Sequence, residues 1–236
     1  MNRQVFITGN STGLGLGLTQ AYLDDDDTVY GMSRRGCREL EGDLFDIRCD
    51  IGDGEALTVA LEALLTDAPR MDLVILNAGI LGRMQDLHET SMDEIYRIME
   101  INVWANKRIM DWLRESPLEI TQIVFISSGA SRNGNRGWGA YSISKAALNM
   151  LASLYADEFP DTHISALAPG LIDTAMQEYL CTEADVQRFP SLDVLRQARG
   201  TRFMPSPREA GRLIADAIPK LKRHPSGSYA DIRSLM

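Results

Sequence analysis

Short apolar runs alternate with longer stretches of helical periodicity along the whole chain. Val5-Phe6-Ile7-Thr8 reads as a buried strand, and a helical pattern follows over about residues 13–23. Residues 28–32 and 44–49 predict a second and a third strand. A helix over about 55–66 leads to a fourth strand, Leu73-Val74-Ile75-Leu76. Helical patterns cross residues 92–114, and residues 120–126 make strand five. A long helix over about 139–158 precedes strand six at 163–167. The last helix, about 207–221, comes before a short strand at 228–232. Near-continuous apolar strands must be covered on both faces, and alternation with helices implies parallel pairing. The chain therefore predicts an α/β domain with a doubly wound parallel sheet and helices on both faces.

Two stretches depart from this rhythm. Residues 174–206 carry Pro190, Pro205, mixed charge and only broken periodicity. An insertion of that size in a compact domain is usually functional, and a substrate-binding lid is expected. Asp24-Asp25-Asp26-Asp27 follows the first helix and reads as a solvated turn, since four like charges there repel one another and oppose the helix dipole.

At 236 residues the chain fits a single domain, 1–236, with little room for a second. Its formal net charge of -9 removes the basic footprint of a nucleic-acid or anionic-membrane binder, so neither partner is expected. No apolar window approaches the length of a membrane span, and no leader pattern precedes the first strand. Cys37, Cys49 and Cys181 lack metal or redox spacing and suggest reduced thiols in a cytoplasmic protein. His88, His163 and His224 have no metal-like spacing, and Trp104, Trp112 and Trp138 read as packing groups, the last bordering the expected site.

Chemistry enters at the first turn. Gly9, Ser11, Thr12, Gly13, Leu14 and Gly15 join the first strand to the first helix. Glycines let backbone approach a pyrophosphate, and a helix N-terminus offers amide donors with partial positive charge. The setting is that of a Rossmann-type dinucleotide site. A free ribose 2′-hydroxyl would call for an acidic residue after strand two, but Ser33 and Arg34 stand there. A hydroxyl and a planar guanidinium suit a 2′-phosphate, so NADP(H) is the expected cofactor.

At the other end, Ser127-Ser128 follow strand five, and Tyr141 and Lys145 share one face of the long helix. An ammonium beside a phenol favours the phenolate and lowers the tyrosine pKa from about 10. Tyr141 would then donate a proton to a developing alkoxide, with Ser128 holding the substrate oxygen.

Thr8-Gly-x-x-x-Gly13-x-Gly15, Asn77-Ala78-Gly79, Asn102, Ser128, Tyr141-x-x-x-Lys145 and Pro169-Gly170 occur in that order. Together they resemble the short-chain dehydrogenase/reductase family over essentially the whole chain. The resemblance implies a catalytic tetrad of Asn102, Ser128, Tyr141 and Lys145. Lys145 would also bind the nicotinamide ribose, and Asn102, at a local helix break, would complete a proton relay. Asp50 and Ile51 would contact adenine, and Asn77, Ala78 and Gly79 would line its ribose. Pro169, Gly170, Ile172 and Thr174 would meet the nicotinamide. Leu76 and Thr12 depart from the family pattern, the latter where several NADP-dependent members place a basic residue.

Gly137-Trp138-Gly139-Ala140-Tyr141, the run from Pro169 through Gln177 and the tail Ser226-Gly227-Ser228-Tyr229-Ala230-Asp231 are similar to the sepiapterin reductase and benzil reductase branch. That resemblance implies a small ketone, diketone or pterin carbonyl as substrate, with Asp231 as an anchor for a pterin edge. It also implies a homodimer or homotetramer, paired through helix faces bearing Trp104, Met110, Leu148 and Leu151. The competing reading is a nucleotide-binding regulator without chemistry, from which the intact Tyr141 and Lys145 distinguish this chain.

Overall fold

The computed structural model describes residues 2–37 and 40–236. Strand β1, Gln4–Thr8, turns into helix α1, Gly13–Leu23, followed by β2, Thr28–Ser33, and β3, Leu44–Arg48. Helix α2, Gly54–Leu65, leads to β4, Leu73–Leu76. Helices α3, Met92–Met99, and α4, Ala105–Glu115, are joined by a π-helical turn, Glu100–Trp104. Then come β5, Gln122–Ile126, α5, Gly139–Glu158, and β6, His163–Ala168. Helices α6, Ala175–Thr182, and α7, Leu192–Ala198, precede α8, Pro207–Ala217, and β7, Ser228–Asp231, completes the sheet.

All neighbours are parallel, in the order β3-β2-β1-β4-β5-β6-β7. The chain builds outward from β1 to β3, then returns to the other side of β1 with β4. Loops after β1 and β4 therefore leave in opposite directions and open a crevice at the carboxyl ends of the strands.

Successive strand residues face opposite layers. Val5 and Ile7 pack with Leu18, Tyr22 and Ile214 of α1 and α8. Phe6 joins Leu57, Leu61, Met110 and Leu148 of α2, α4 and α5. Helices α1 and α8 touch backbone to backbone: a Cβ at Gly17 would lie 1.8 Å from the Pro207 oxygen. Helix α8 begins with a capping box of Ser206 and Glu209 and with Pro207 in its first turn, which fixes that crossing.

The acidic turn is not simply solvated. Asp27 is buried and accepts from the Arg3 amide and Nε at 2.8 Å each, while Asp25 pairs with Arg3 and Arg212. Two distant arginines relieve the crowded charge, and Asp26 takes a φ of 59° to make the corner. The outer helix faces also differ from expectation. Met110 and Leu148 are core residues at 0% and 1% exposure and Leu151 is partly buried, whereas Trp104 is exposed as expected, together with Ile143, Met150 and Leu154. Among the described residues no helix is long and apolar enough to cross a membrane.

Residues 174–206 are less irregular than their sequence suggests. Leu180, Phe189, Leu192, Leu195 and Met204 form a third apolar cluster with Leu81, Met84 and Tyr141. The insertion thus packs beyond the strand ends, directly against the long helix α5.

Candidate active site

The first turn is set by its glycines. Gly9 and Gly13 have φ of 71° and 54°, and a Cβ at Gly15 would lie 2.1 Å from the Gly9 oxygen. Only glycine lets α1 begin that close to β1. Thr8 Oγ1 accepts from the amides of Asn77 and Ala78 at 3.0 and 3.1 Å, and Asn77 Nδ2 donates to the Thr8 oxygen at 3.0 Å. These bonds tie the ends of β1 and β4 across the switch point. Thr12 precedes α1 in extended conformation without a side-chain cap, so the first-turn amides face the crevice uncapped. A dinucleotide pyrophosphate fits this cradle.

Gly9, Ser11, Thr12, Gly13, Leu14 and Gly15 line one wall of a cleft of about 650 Å³. Ser33, Arg34, Asp50 and Ile51 line its outer end, and Asn77, Ala78 and Gly79 its middle. Ser33 is buried and its oxygen accepts from the Gly36 amide at 3.1 Å, which leaves its own proton to donate. Arg34 and Arg35 are exposed and, among the described residues, neither has an ion-pair partner. Arg97 and Ile101, on α3 and the π-helical turn, complete this end. Nothing local in the sequence marks them, because they lie more than eighty residues beyond the glycines along the chain.

Tyr141, Lys145, Pro169, Gly170, Ile172 and Thr174 line the inner end of the same cleft. Thr174 reaches back toward the first turn, where its Cγ2 would lie 3.2 Å from a Cβ on Gly13. Every expected dinucleotide contact therefore stands on one continuous surface.

The residues of the expected tetrad come from three places: the π-helical turn, the loop after β5, and α5, which carries both Tyr141 and Lys145. Asn102 sits fully buried in the π-helical turn, a local widening of the kind often found at functional sites. Its Oδ1 accepts from the Ile80 amide at 2.8 Å, and Nδ2 donates to the Ile80 oxygen and to Ser144 Oγ, each at 2.9 Å. Ser144 in turn donates to the Tyr141 oxygen at 2.7 Å. Asn102 is thus behind the cleft wall and braces it through the start of α5. Gly79 lies between, since a Cβ there would be 3.2 Å from Asn102 Oδ1 and 3.4 Å from Lys145 Nζ.

Lys145 is buried and donates to the Ile126 oxygen at 2.8 Å; burial lowers its pKa to about 8. Its Nζ is 5.8 Å from the centre of the Tyr141 ring. The Tyr141 phenol is not acidified as the sequence led us to expect. Burial raises its pKa above the ordinary value, and a hydrogen bond with Ser128 works the other way. The ammonium is directed at a backbone carbonyl instead of the phenol, which accounts for the difference.

Of the two adjacent serines, Ser127 is buried and spends its hydroxyl on Asn149 Oδ1 at 2.5 Å. Ser128 is half-buried, accepts from the Ala130 amide at 3.1 Å and meets Tyr141. Ser127 lines the cleft, while Ser128 stands beside the Tyr141 hydroxyl.

The insertion is fastened over this end by long-range contacts. Trp138 Nε1 donates to Ser191 Oγ at 3.0 Å, and the Met84 amide donates to the Tyr179 hydroxyl at 3.1 Å. Asp86 accepts from Arg136 at 2.6 and 2.7 Å and from Arg188 at 2.7 Å, and the two guanidiniums hold its carboxyl well below the usual range. Three segments that are far apart in sequence meet at one carboxylate.

Asp231 falls outside this arrangement. It does not line the cleft, and Arg233 grips both its oxygens at 2.8 and 2.6 Å, holding the carboxyl below its ordinary pKa.

Comparison with known proteins agrees with the geometry. Residues 3–185 match the family model described as short chain dehydrogenase. The chain is 32% identical over 197 residues to a benzil reductase ((S)-benzoin forming) of Saccharomyces cerevisiae, covering 75% of this chain and 74% of that protein. It is 27% identical over 249 residues to a benzil reductase ((S)-benzoin forming) of Bacillus cereus, covering 98% and 99%. Among solved structures, the KRED1-Pglu enzyme superposes with a TM-score of 0.83 at 25% identity, covering 97% of this chain and 100% of that one. With its seven-stranded parallel sheet, glycine turn and Tyr141–Lys145 helix, the chain belongs to the short chain dehydrogenase family of oxidoreductases.

Proposed function

We propose that the protein is an NADPH-dependent carbonyl reductase that acts on a small ketone or 1,2-diketone. One observation carries the reading: Tyr141 and Lys145 open onto the same cleft as the glycine turn and the Ser33-Arg34 pair. The benzil reductase relatives support a diketone as substrate class.

The first-turn amides of α1 and the hydroxyls of Ser11 and Thr12 would hold the pyrophosphate. Ser33 and Arg34 would take the 2′-phosphate, with Arg35 adding positive charge, and Lys145 would hold the nicotinamide ribose. When bound, the reduced nicotinamide supplies a hydride to the carbonyl carbon. Ser128 donates to the carbonyl oxygen and orients it. Tyr141 delivers the proton to that oxygen as negative charge develops, and its raised pKa keeps the proton in place at neutral pH. Asn102 keeps the start of α5 in register through Ser144. The insertion, residues 174–206, would wall the carbonyl end against water.

The test is loss of reduced-nicotinamide absorbance when the protein is mixed with benzil and NADPH or NADH. Turnover that is faster with NADPH supports the reading. No turnover with benzil or with a panel of other diketones, quinones and ketones would replace it with a nucleotide-binding regulator.

A further inference from the structure

Tyr141, Lys145 and Asn149 are spaced four residues apart on α5 and so occupy one face of the helix. The first two carry the proposed chemistry. The third reaches into the loop that follows β5. Asn149 Oδ1 accepts from Ser127 Oγ at 2.5 Å, and Asn149 Nδ2 donates to Ser131 Oγ at 2.8 Å. Ser131 Oγ donates to the Ser128 oxygen at 2.7 Å, and the Ser131 amide donates to the same oxygen at 3.1 Å. One amide side chain therefore clamps the residues on both sides of Ser128.

With the Ser131 hydroxyl proton on the Ser128 carbonyl, and the same hydroxyl also beside that of Tyr229, the group facing it from Asn149 donates. The other end of that amide is then left as an acceptor for Ser127. Asparagine meets both demands; aspartate of the same shape would meet only one.

We propose that Asn149 is a positioning residue for carbonyl reduction, holding the Ser128 hydroxyl at its place beside Tyr141. The same helix that presents the proton donor would thereby also fix the group that orients the substrate. The proposal rests on the reading of Ser128 as the residue that holds the carbonyl oxygen, and its test is built to separate the two.

Turnover of benzil with NADPH is measured for the unaltered protein, Asn149→Asp, Ser128→Ala and the double variant, with NADPH affinity from fluorescence titration. Small misplacements of reacting groups can cost about a hundredfold, so Asn149→Asp should lower kcat by roughly ten- to a hundredfold. NADPH affinity should stay within about twofold, because the phosphate cradle and Lys145 are untouched. With NADPH deuterated at the transferred position, the isotope effect on kcat should grow as chemistry becomes limiting. In the Ser128→Ala background the aspartate should change kcat by less than about twofold, since nothing is left to position. Losses that add across the two sites, or a normal kcat for Asn149→Asp, overturn the proposal and leave Ser128 in its role. Normal turnover by Ser128→Ala overturns the underlying reading instead. Should Asn149→Asp fold poorly, Ser131→Ala breaks the side-chain link from Asn149 to the Ser128 carbonyl and must lower kcat with NADPH affinity kept; a normal kcat there also overturns the proposal.

Discussion

Lys145 donates to the Ile126 carbonyl at 2.8 Å, which ties its ammonium to the last residue of β5 and leaves the Tyr141 phenol to Ser128. The two groups titrate in opposite senses for one cause, burial. Lys145 gives up its proton near pH 8, below its ordinary value, while Tyr141 keeps its own to a higher pH. Below that point the lysine is charged and the phenol protonated, the pair that reduction needs. Reduction should therefore hold steady at and below neutrality and fall as pH rises through about 8. The pH profile of kcat/KM checks it, and a rate that climbs across that range would contradict the assignment.

Tyr141→Phe keeps the ring in the third apolar cluster and removes only the hydroxyl. Folding and NADPH binding should survive, while turnover should drop by about a hundredfold to ten-thousandfold, the usual contribution of general acid catalysis. Steady-state kinetics beside a thermal melt decide the matter. Turnover within a few-fold of normal would remove Tyr141 from the chemistry.

Arg34→Asp should reverse or abolish a preference for NADPH. A charge-assisted hydrogen bond contributes about 1.5–3 kcal/mol, which corresponds to roughly ten- to a hundredfold in relative efficiency. The ratio of kcat/KM for the two cofactors, before and after the change, measures it. Equal efficiency with both in the unaltered protein would show that Ser33 and Arg34 do not read the 2′-phosphate.

Asp231→Asn should alter KM by less than about twofold, for a pterin and for a diketone alike, because Arg233 already occupies the carboxylate. The pair is largely exposed on the arginine side and should contribute only about 0–1 kcal/mol to stability. A selective rise in KM for sepiapterin would return Asp231 to the site.

Ile143, Met150 and Leu154 follow helical spacing on the outer side of α5 and stay exposed. An exposed apolar stripe of this kind is commonly an interface, and two copies related by a twofold axis would cover it. Light scattering at micromolar concentration should return a homodimer or larger, and Met150→Glu with Leu154→Glu should yield monomer. A monomer before any change would refute the expected pairing.

Much of this was legible in the chain itself. The long helix is Gly139–Glu158, as its periodicity predicts, and strand four is Leu73–Leu76. The dinucleotide surface could be anticipated because its glycines, Ser33 and Arg34 follow directly from strand ends. What could not be read are bonds between distant segments. Arg188 reaches Asp86 across 102 positions, and Trp138 reaches Ser191 across 53, with no local pattern to announce either. The tail motif around Asp231 is local, yet it does not announce the pairing with Arg233 two residues on. The burial that raises the Tyr141 pKa depends on how the insertion packs, which periodicity does not encode.

Tyr141 belongs to the same apolar cluster as Phe189, Leu192 and Leu195 of the insertion. A lineage that altered these walls to accept a new substrate would also shift the seat of its own proton donor. Breadth of substrate and speed of turnover are then inherited together, and the surviving routes to new specificity are those that repack the cluster at constant volume.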